Sequence, residues 1–128
     1  MRLLLDTHSF LWFVQGDPRL SVTARRLAED PANDRFLSVA SVWEMGIKIS
    51  VGKLRLGSPI ETFVPEQLHS NGIGLLSITV DHITAVSVMA FYHRDPFDRM
   101  LVAQAQVEQM SIVSADPALD AYGITRLW

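Results

Sequence analysis

The sequence of 128 residues contains no cysteine, and this absence removes several kinds of protein from consideration. A disulfide framework, a thiol nucleophile and a zinc–thiolate site are all excluded. No apolar run approaches the roughly 18 residues that a membrane-spanning helix needs, and the N-terminus shows no signal peptide. Lysine is scarce as well, with Lys48 and Lys53 the only two. We therefore expect a cytoplasmic protein without a membrane segment.

The charge and the hydropathy of the chain bear on different classes of partner. A net charge of −3 argues against a protein that coats nucleic acid through a broad basic face. It does not argue against a nucleic-acid enzyme, because bound cations neutralise clustered carboxylates. The hydrophobic fraction of 48% and the mean hydropathy of +0.19 are high for a small chain. We expect one domain over residues 1–128 that buries further apolar surface against a second copy or another partner.

Apolar runs alternate with helical patterns along the whole chain. The predicted strands are Met1–Leu5, Arg35–Ala40, Gly74–Ile78, Ser111–Ser114 and Ile124–Leu127. The predicted helices are His8–Val14, Ser21–Glu29, Ser41–Leu54, one capped by Ser58-Pro59, Thr79–Tyr92, one that follows residues 94–98 and runs to about Met110, and Asp116–Ala121. Strands that alternate with helices predict an α/β fold, with a parallel sheet of four to five strands and helices on both faces.

Two of the predicted helices have features that bear on their packing. In the third, Trp43, Ile47, Val51 and Leu54 recur at the spacing of one helix face, which predicts an apolar side for packing. In the fourth, Pro65 is expected to kink or divide the helix.

Four acidic residues fall at junctions between a strand and the next helix. Asp6 follows the first strand, and Glu44 lies at the start of the helix after the second. Asp98 opens a later helix, and Asp116 follows the fourth strand. Because the carboxyl ends of parallel strands lie at the same edge of a sheet, we expect these four side chains to converge there.

Most of these acids also have a structural interpretation as helix caps. Ser41 and Glu44 fit a capping box, in which the glutamate accepts a hydrogen bond from the serine amide. Asp95 and Asp116 each precede a proline, which is the pattern of an N-cap and a first helical residue. Asp98 would then lie near the positive end of a helix dipole. Capping alone is the default interpretation for each of these acids taken singly.

Asp6 is the acid that capping explains least. A carboxylate at the end of a buried strand needs partners to offset its desolvation, and the amides of the following helix are one source of them. If Asp6, Glu44, Asp98 and Asp116 share one cleft, their repulsion raises the pKa values of the carboxyls unless a cation lies between them. Oxygen ligands of this kind select hard divalent ions, so the sequence predicts a site for Mg²⁺ or Mn²⁺.

Four stretches of the sequence carry a family resemblance. In chain order they are LLLDTHSFLW, SVASVWEMGIKISVGKL, HRDPFDRMLVAQA and IVSADPAL. Each motif alone is weak, but together they resemble the PIN-domain ribonucleases, specifically VapC-type toxins of type II toxin–antitoxin systems, over essentially the whole chain. The resemblance implies a PIN-like three-layer α/β/α fold. It maps the family's acidic positions onto Asp6, Glu44 and Asp98, with Asp116 at a further, more variable position.

The resemblance also implies an activity and partners. The activity is endoribonucleolytic hydrolysis of RNA phosphodiester bonds with Mg²⁺ or Mn²⁺ as cofactor. Asp6 and Asp98 are expected to bind the metal directly, Glu44 to bind it or orient the attacking water, and Asp116 to act through water. The partners are the RNA substrate, a cognate antitoxin protein and a second copy of the chain in a homodimer.

Polar residues next to the acids are expected to support the site. Thr7 and Ser114 are expected to hold carboxylates or waters by hydrogen bonds. Arg99 is expected either to contact the scissile phosphate or to pair with an acid such as Asp95. Lys48 follows the site glutamate by four residues and is expected to form an ion pair with it along the helix.

Other conspicuous side chains are interpreted structurally. His8 and His93 flank the acids but belong to no ligand pattern of histidine or cysteine, so we expect neither to bind metal or act in catalysis. Trp12, Phe13 and Trp43 are expected in the core or at an interface rather than as platforms for stacked bases.

Three other functions have to be weighed against a toxin nuclease. A PIN nuclease of RNA processing has the same site, whereas a PIN-like module without catalysis would be expected to lack acids, and all four are present. A phosphate-transfer protein of the haloacid dehalogenase or receiver type would also place an aspartate after the first strand. The former needs a second aspartate where His8 stands, and the latter lacks its paired acids and late lysine.

Overall fold

The computed structural model describes residues 1–128, and its five strands form one parallel sheet. The strands are Arg2–Leu5 (β1), Asp34–Ser38 (β2), Gly74–Leu76 (β3), Ser111–Val113 (β4) and Arg126–Leu127 (β5). They lie in the order β3-β2-β1-β4-β5, and each neighbouring pair is parallel. The predicted α/β fold with a central parallel sheet is therefore confirmed, and β1 lies in its middle.

Helices connect the strands and cover both faces of the sheet. They are Thr7–Gln15 (α1), Val22–Glu29 (α2), Val39–Ser50 (α3), Ile60–Asn71 (α4), Val80–Ser87 (α5), Pro96–Glu108 (α6) and a 3₁₀ helix at Pro117–Tyr122. None of them is both long enough and apolar enough to cross a membrane.

Alternation along β1 builds an apolar core on each face of the sheet. Leu3 and Leu5 belong to the larger core, together with side chains from α1 to α4. Leu4 points to the other face and packs with α6 and the 3₁₀ helix. All three leucines are almost fully buried, and burial of each contributes about 2 kcal/mol. This packing fixes the register of β1, and with it the position of Asp6 at the sheet edge.

α3 begins earlier than the sequence predicts. Its first residue is Val39, because the Ser38 side chain at the end of β2 accepts a hydrogen bond from the Ala40 amide and caps the helix. Ser41 and Glu44 therefore both lie inside the helix, and the predicted capping box between them is wrong. The consequence is that the Glu44 carboxylate is not used as a cap and is available to the site.

α4 differs from its prediction at its start and in its middle. Its N-cap is Pro59 rather than Ser58, and no side chain caps it. Pro65 lies inside the helix without dividing it. Phe63 and Val64 precede the proline and pack into the larger core, and this packing holds the helix together where its own hydrogen bonding is interrupted.

The apolar stripe of α3 faces solvent instead of the core. Trp43 is 64% exposed and Val51 is 60% exposed, while Met45 on the opposite side is fully buried. Of the predicted stripe only Leu54, beyond the end of the helix, packs on the larger core. α3 thus presents an apolar outer surface that stays largely exposed within the chain. By contrast, Trp12 packs against the larger core, as expected.

Candidate active site

The carboxyl ends of β1, β2 and β4 border a polar cleft of about 210 Å³. No apolar side chain lines it. The residues that line it are Asp6, Thr7, His8, Glu44, Lys48, Asp95, Asp98 and Asp116. All four acids singled out in the sequence therefore converge here, although they lie up to 110 positions apart in the chain.

Asp6 lies at the junction of β1 and α1, and it forms hydrogen bonds with both the sheet and the helix. Its backbone N–H donates to the Val113 carbonyl of β4 at 3.1 Å, which ties the junction to the sheet. Its Oδ1 accepts a hydrogen bond from the Ser9 amide at 2.8 Å, so Asp6 is the N-cap of α1. Its Oδ2 receives no hydrogen bond within the chain. Capping and a site role are therefore compatible, since each uses a different oxygen of the carboxylate. Asp6 as a whole is only 8% exposed.

Glu44 has both of its oxygens engaged by side chains. The Thr7 hydroxyl donates to Oε1 at 2.7 Å, and the Lys48 ammonium lies 2.8 Å from Oε2. Thr7 thus holds a site carboxylate, and the ion pair expected of Lys48 is present. Glu44 is only 8% exposed. Its two partners therefore offset the desolvation of its carboxylate.

The start of α6 brings two further acids to the cleft. Asp95 is the N-cap, as predicted, and its Oδ1 accepts from the amides of Phe97 and Asp98 at 2.8 and 3.2 Å. Sequence reasoning assigned Asp95 to capping alone, yet its side chain also lines the cleft. The DPFD spacing contained this signal, because an N-cap and the acid three residues later lie on the same side of the first turn.

Asp98 carries the clearest electrostatic signature of the cleft. Burial, followed by the negative charge of Asp95, raises the pKa of its carboxyl from 3.8 to about 7. His93 acts in the opposite direction, and the charges of Asp6 and Glu44 add smaller increases. The cleft therefore disfavours the ionised form of the Asp98 carboxyl, and a bound cation would favour it.

Asp116 and His93 complete the cleft on the side of β4. The Ser114 hydroxyl accepts the Asp116 backbone N–H at 3.1 Å, so Ser114 holds the backbone of this acid rather than a carboxylate. Asp116 caps the 3₁₀ helix as predicted, through Oδ1 to the Ala118 amide at 3.0 Å. His93 Nε2 lies 3.1 Å from Asp116 Oδ2 and 3.3 Å from Asp98 Oδ2. Sequence reasoning gave His93 no role, since nothing along the chain indicates that the 88–95 loop turns back to the sheet edge.

Arg99 is not among the residues that line the cleft, and the expected pairing with Asp95 is wrong. Its expected contact with the scissile phosphate stays a prediction. The side chain is buried, and its guanidinium donates to the Ala90 carbonyl at 2.7 Å and the Met89 carbonyl at 3.3 Å. It also lies over the Phe91 ring, 4.0 Å from the centroid. Binding these carbonyls stabilises a non-helical course after Ser87, where the sequence predicts that α5 continues.

The unengaged oxygens of the cleft show which groups suit a metal. Asp6 Oδ2, Asp95 Oδ2 and Asp98 Oδ1 receive no hydrogen bond within the chain, whereas both oxygens of Glu44 and of Asp116 have partners. Hard cations such as Mg²⁺ and Mn²⁺ prefer carboxylate oxygens of this kind. The donor set of the cleft therefore fits such an ion.

A family model named PIN domain matches residues 3–124. This chain belongs to the PIN-domain family. Ribonuclease VapC16 of Mycobacterium tuberculosis (strain ATCC 25618 / H37Rv) is 38% identical to this PIN domain over 69 residues, which are 51% of the chain and 48% of that protein. The chain thus matches about half the length of this curated relative. The predicted family resemblance is confirmed.

Solved structures share the fold of this PIN domain over nearly its whole length. VapBC2 from Rickettsia felis, bound to a DNA fragment from its promoter, superposes with a TM-score of 0.72 at 12% identity, covering 99% of this chain and 98% of that one. VapBC-1 from nontypeable Haemophilus influenzae superposes with a TM-score of 0.69 at 14% identity, covering 99% and 97%. At such low identity these matches establish the three-layer α/β/α fold.

Proposed function

We propose that this PIN domain is a divalent-metal-dependent endoribonuclease that acts as the toxin of a toxin–antitoxin pair. The observation that carries the proposal is the convergence of four acids on one polar cleft in which the Asp98 pKa is raised to about 7. The cleft is lined by five carboxylates and a single lysine, so its oxygen donors suit a divalent cation.

The unengaged oxygens support distinct roles for the acids. Asp6 and Asp98 are the direct ligands of Mg²⁺ or Mn²⁺, since each lines the cleft and has one oxygen without a hydrogen-bond partner in the chain. Glu44, held by Thr7 and Lys48, orients the attacking water or adds a ligand contact. Asp116, whose oxygens both have partners, acts through water.

When bound, a divalent cation lowers the pKa of a water molecule and offsets the charge that develops on the leaving 3′ oxygen. The acids of the chain fix where that attack occurs, because their positions are set by the sheet edge and by three helix caps. The expected products carry 5′-phosphate and 3′-hydroxyl ends.

The nuclease proposal is tested with purified protein and a mixed-sequence single-stranded RNA in Mg²⁺. Asp6→Asn and Asp98→Asn are each expected to lower the cleavage rate by about 100-fold or more, since even loss of an outer partner of a metal ligand costs 10- to 100-fold. Asp17→Asn changes an aspartate that does not line the cleft and pairs with Arg19, so it is the matched control and should cleave like wild type. A folded Asp98→Asn variant that cleaves at the wild-type rate would contradict the proposal.

The toxin role draws on the relatives, which include a protein named ribonuclease and VapBC complexes. We expect expression of the wild type to arrest growth and the Asp6→Asn variant to be tolerated. Co-expression with the protein encoded directly upstream should restore growth and give a complex that does not cleave RNA. Growth unaffected by an active nuclease would favour RNA processing instead.

A homodimer is part of the same proposal. An apolar cleft of about 210 Å³ lies between α3, α5 and α6, lined by Ala40, Trp43, Ile78, Val86, Pro96, Phe97 and Met100. Trp43 meets Phe97 edge-on at 5.3 Å and remains 64% exposed. Exposed apolar surface of this kind marks an interface. Sedimentation should show a dimer for wild type and a monomer for Trp43→Glu, and a monomeric wild type would exclude this arrangement.

A further inference from the structure

His93 lies between two site acids in a geometry that resembles a metal site. One atom each from His93, Asp98 and Asp116 lies within 4.8 Å of the others, a spacing at which three ligands could share an ion. The ring nitrogen that faces the acids is Nε2, at 3.1 Å from Asp116 and 3.3 Å from Asp98. Whether this histidine binds a metal depends on where its proton lies.

The other ring nitrogen decides the position of that proton. His93 Nδ1 lies 3.1 Å from the backbone nitrogen of Asp95, which can only donate. Nδ1 is therefore an acceptor without a proton, and the neutral ring carries its proton on Nε2. Histidines that bind metals show the reverse pattern, because they donate their second N–H to an oxygen and leave the first nitrogen free for the ion.

The backbone around His93 holds the ring in this orientation. Its own N–H donates to the Tyr122 hydroxyl at 2.9 Å, and the same hydroxyl lies 3.3 Å from the buried Arg99 guanidinium. The ring thus rests on a loop that is tied to α6 and to the 3₁₀ helix. Nε2–H is directed at the acids by contacts that do not involve the acids themselves.

We propose that His93 is a positioning residue whose Nε2–H donates to Asp116 Oδ2 and lies against Asp98 Oδ2 at 3.3 Å. This arrangement fixes the Asp98 carboxylate so that Oδ1 is the oxygen left for a cation. It also occupies the second oxygen of Asp116, whose Oδ1 caps the 3₁₀ helix. His93 therefore makes Asp116 a support for Asp98 rather than a ligand. The inference rests on the proposed metal site of Asp6 and Asp98.

Two substitutions separate the two nitrogens of the ring. In His93→Asn the side-chain oxygen takes the place of Nδ1 and keeps the bond to the Asp95 amide, but nothing reaches the acids. In His93→Gln the amide nitrogen extends to the place of Nε2 and keeps a donor toward the acids. A role confined to holding the loop predicts that Asn is the better replacement, whereas the positioning role predicts that Gln is.

The test is Mn²⁺ binding to the full chain, measured by the loss of the free-ion electron paramagnetic resonance signal. His93→Asn is expected to weaken Mn²⁺ binding about 10-fold, and His93→Gln to stay within about threefold of wild type. Unchanged binding in folded His93→Asn, or a larger loss in His93→Gln than in His93→Asn, would overturn the inference. If wild type does not bind Mn²⁺ at all, the proposed function itself fails.

Pulsed electron paramagnetic resonance of the wild-type Mn²⁺ complex tests the same point without a variant. We expect no coupling to a directly coordinated imidazole nitrogen, because Nε2 carries a proton toward the carboxylates. A coordinated-nitrogen signal that disappears in His93→Gln would show that the histidine is a ligand and would overturn its assignment as a positioning donor.

Discussion

Two sets of acidic residues in this PIN domain differ in what lies beside them. Asp17 and Asp120 are surface residues, and each meets an arginine: Arg19 at 2.7 Å and Arg126 at 2.8 Å. Hydrogen bonds from these arginines lower the pKa of both carboxyls. Asp98 in the cleft has no such partner, and burial raises its pKa to about 7.

The difference between these two sets of acids indicates that the cleft lacks positive charge. Five carboxylates and one ammonium group line it: Asp6, Glu44, Asp95, Asp98, Asp116 and Lys48. Asp17 and Asp120 each have a cation supplied by the chain, whereas the cleft has far fewer cations than acids. A fold that needed these acids only as caps would gain nothing from burying them together. A divalent ion bound in the cleft would supply the positive charge that the chain does not.

The largest expected effect separates the two groups by metal affinity. Asp6→Asn should weaken Mn²⁺ binding by about 100-fold or more, because it removes a ligand oxygen rather than an outer partner of a ligand, whose loss alone costs 10- to 100-fold. Asp17→Asn should leave the affinity unchanged. Isothermal titration calorimetry measures the Mn²⁺ affinity of both variants. Equal affinities would show that the cleft acids and the surface acids do not differ in metal binding.

A smaller effect concerns the stability of the metal-free protein. The pKa of Asp98 is 3.8 as its ordinary value and about 7 in the fold. Between these values the folded protein keeps a proton that the unfolded chain has released, so the free energy of unfolding decreases as pH rises through this window. Allowing for partial exposure, the loss from this group between pH 4 and pH 8 should be of order 1–2 kcal/mol.

Asp98→Asn removes that loss, because the amide does not ionise. Urea unfolding in the presence of a chelator should show wild type losing stability toward pH 8 relative to the variant, with the two converging near pH 4. A saturating divalent ion at pH 8 should reverse the order, since it stabilises only the wild type. Parallel pH profiles for the two proteins would mean that Asp98 ionises normally.

The smallest effect belongs to the surface pairs. Arg19→Ala and Asp120→Asn each remove one member of a surface ion pair, and exposed ion pairs contribute little to stability. Neither substitution should change the unfolding midpoint measurably, nor the affinity for Mn²⁺. A clear loss of metal binding in either variant would show that charges outside the cleft control it.

The sequence predicts the fold and the convergence of the acids better than the local contacts. Strand-to-helix alternation, with acids at the junctions, suffices to place Asp6, Glu44, Asp98 and Asp116 at one sheet edge, because topology alone brings parallel strand ends together. Contacts that depend on the course of a loop are not encoded in any local pattern. His93 is the clearest example, since its place between two acids requires the chain to leave α5 at Ser87.

Arg99 is an example of a side chain whose contacts the sequence does not predict. Its position next to Asp98 in the sequence suggested a phosphate contact, but on a helix adjacent residues point in different directions. The side chain turns into the protein and binds the Met89 and Ala90 carbonyls of the loop. Trp43 likewise belongs to the apolar stripe of α3, which the sequence predicts to pack. The structure shows that this stripe faces outward.

The central claim is that the cleft acids share a divalent ion, and anomalous X-ray scattering tests it most directly. Crystals of wild type and Asp98→Asn would be equilibrated with Mn²⁺ near its dissociation constant in solution. The account predicts an anomalous peak between Asp6 and Asp98 in wild type and its absence in the variant. A wild-type map without a peak in the cleft, or a peak that persists in Asp98→Asn, would contradict it.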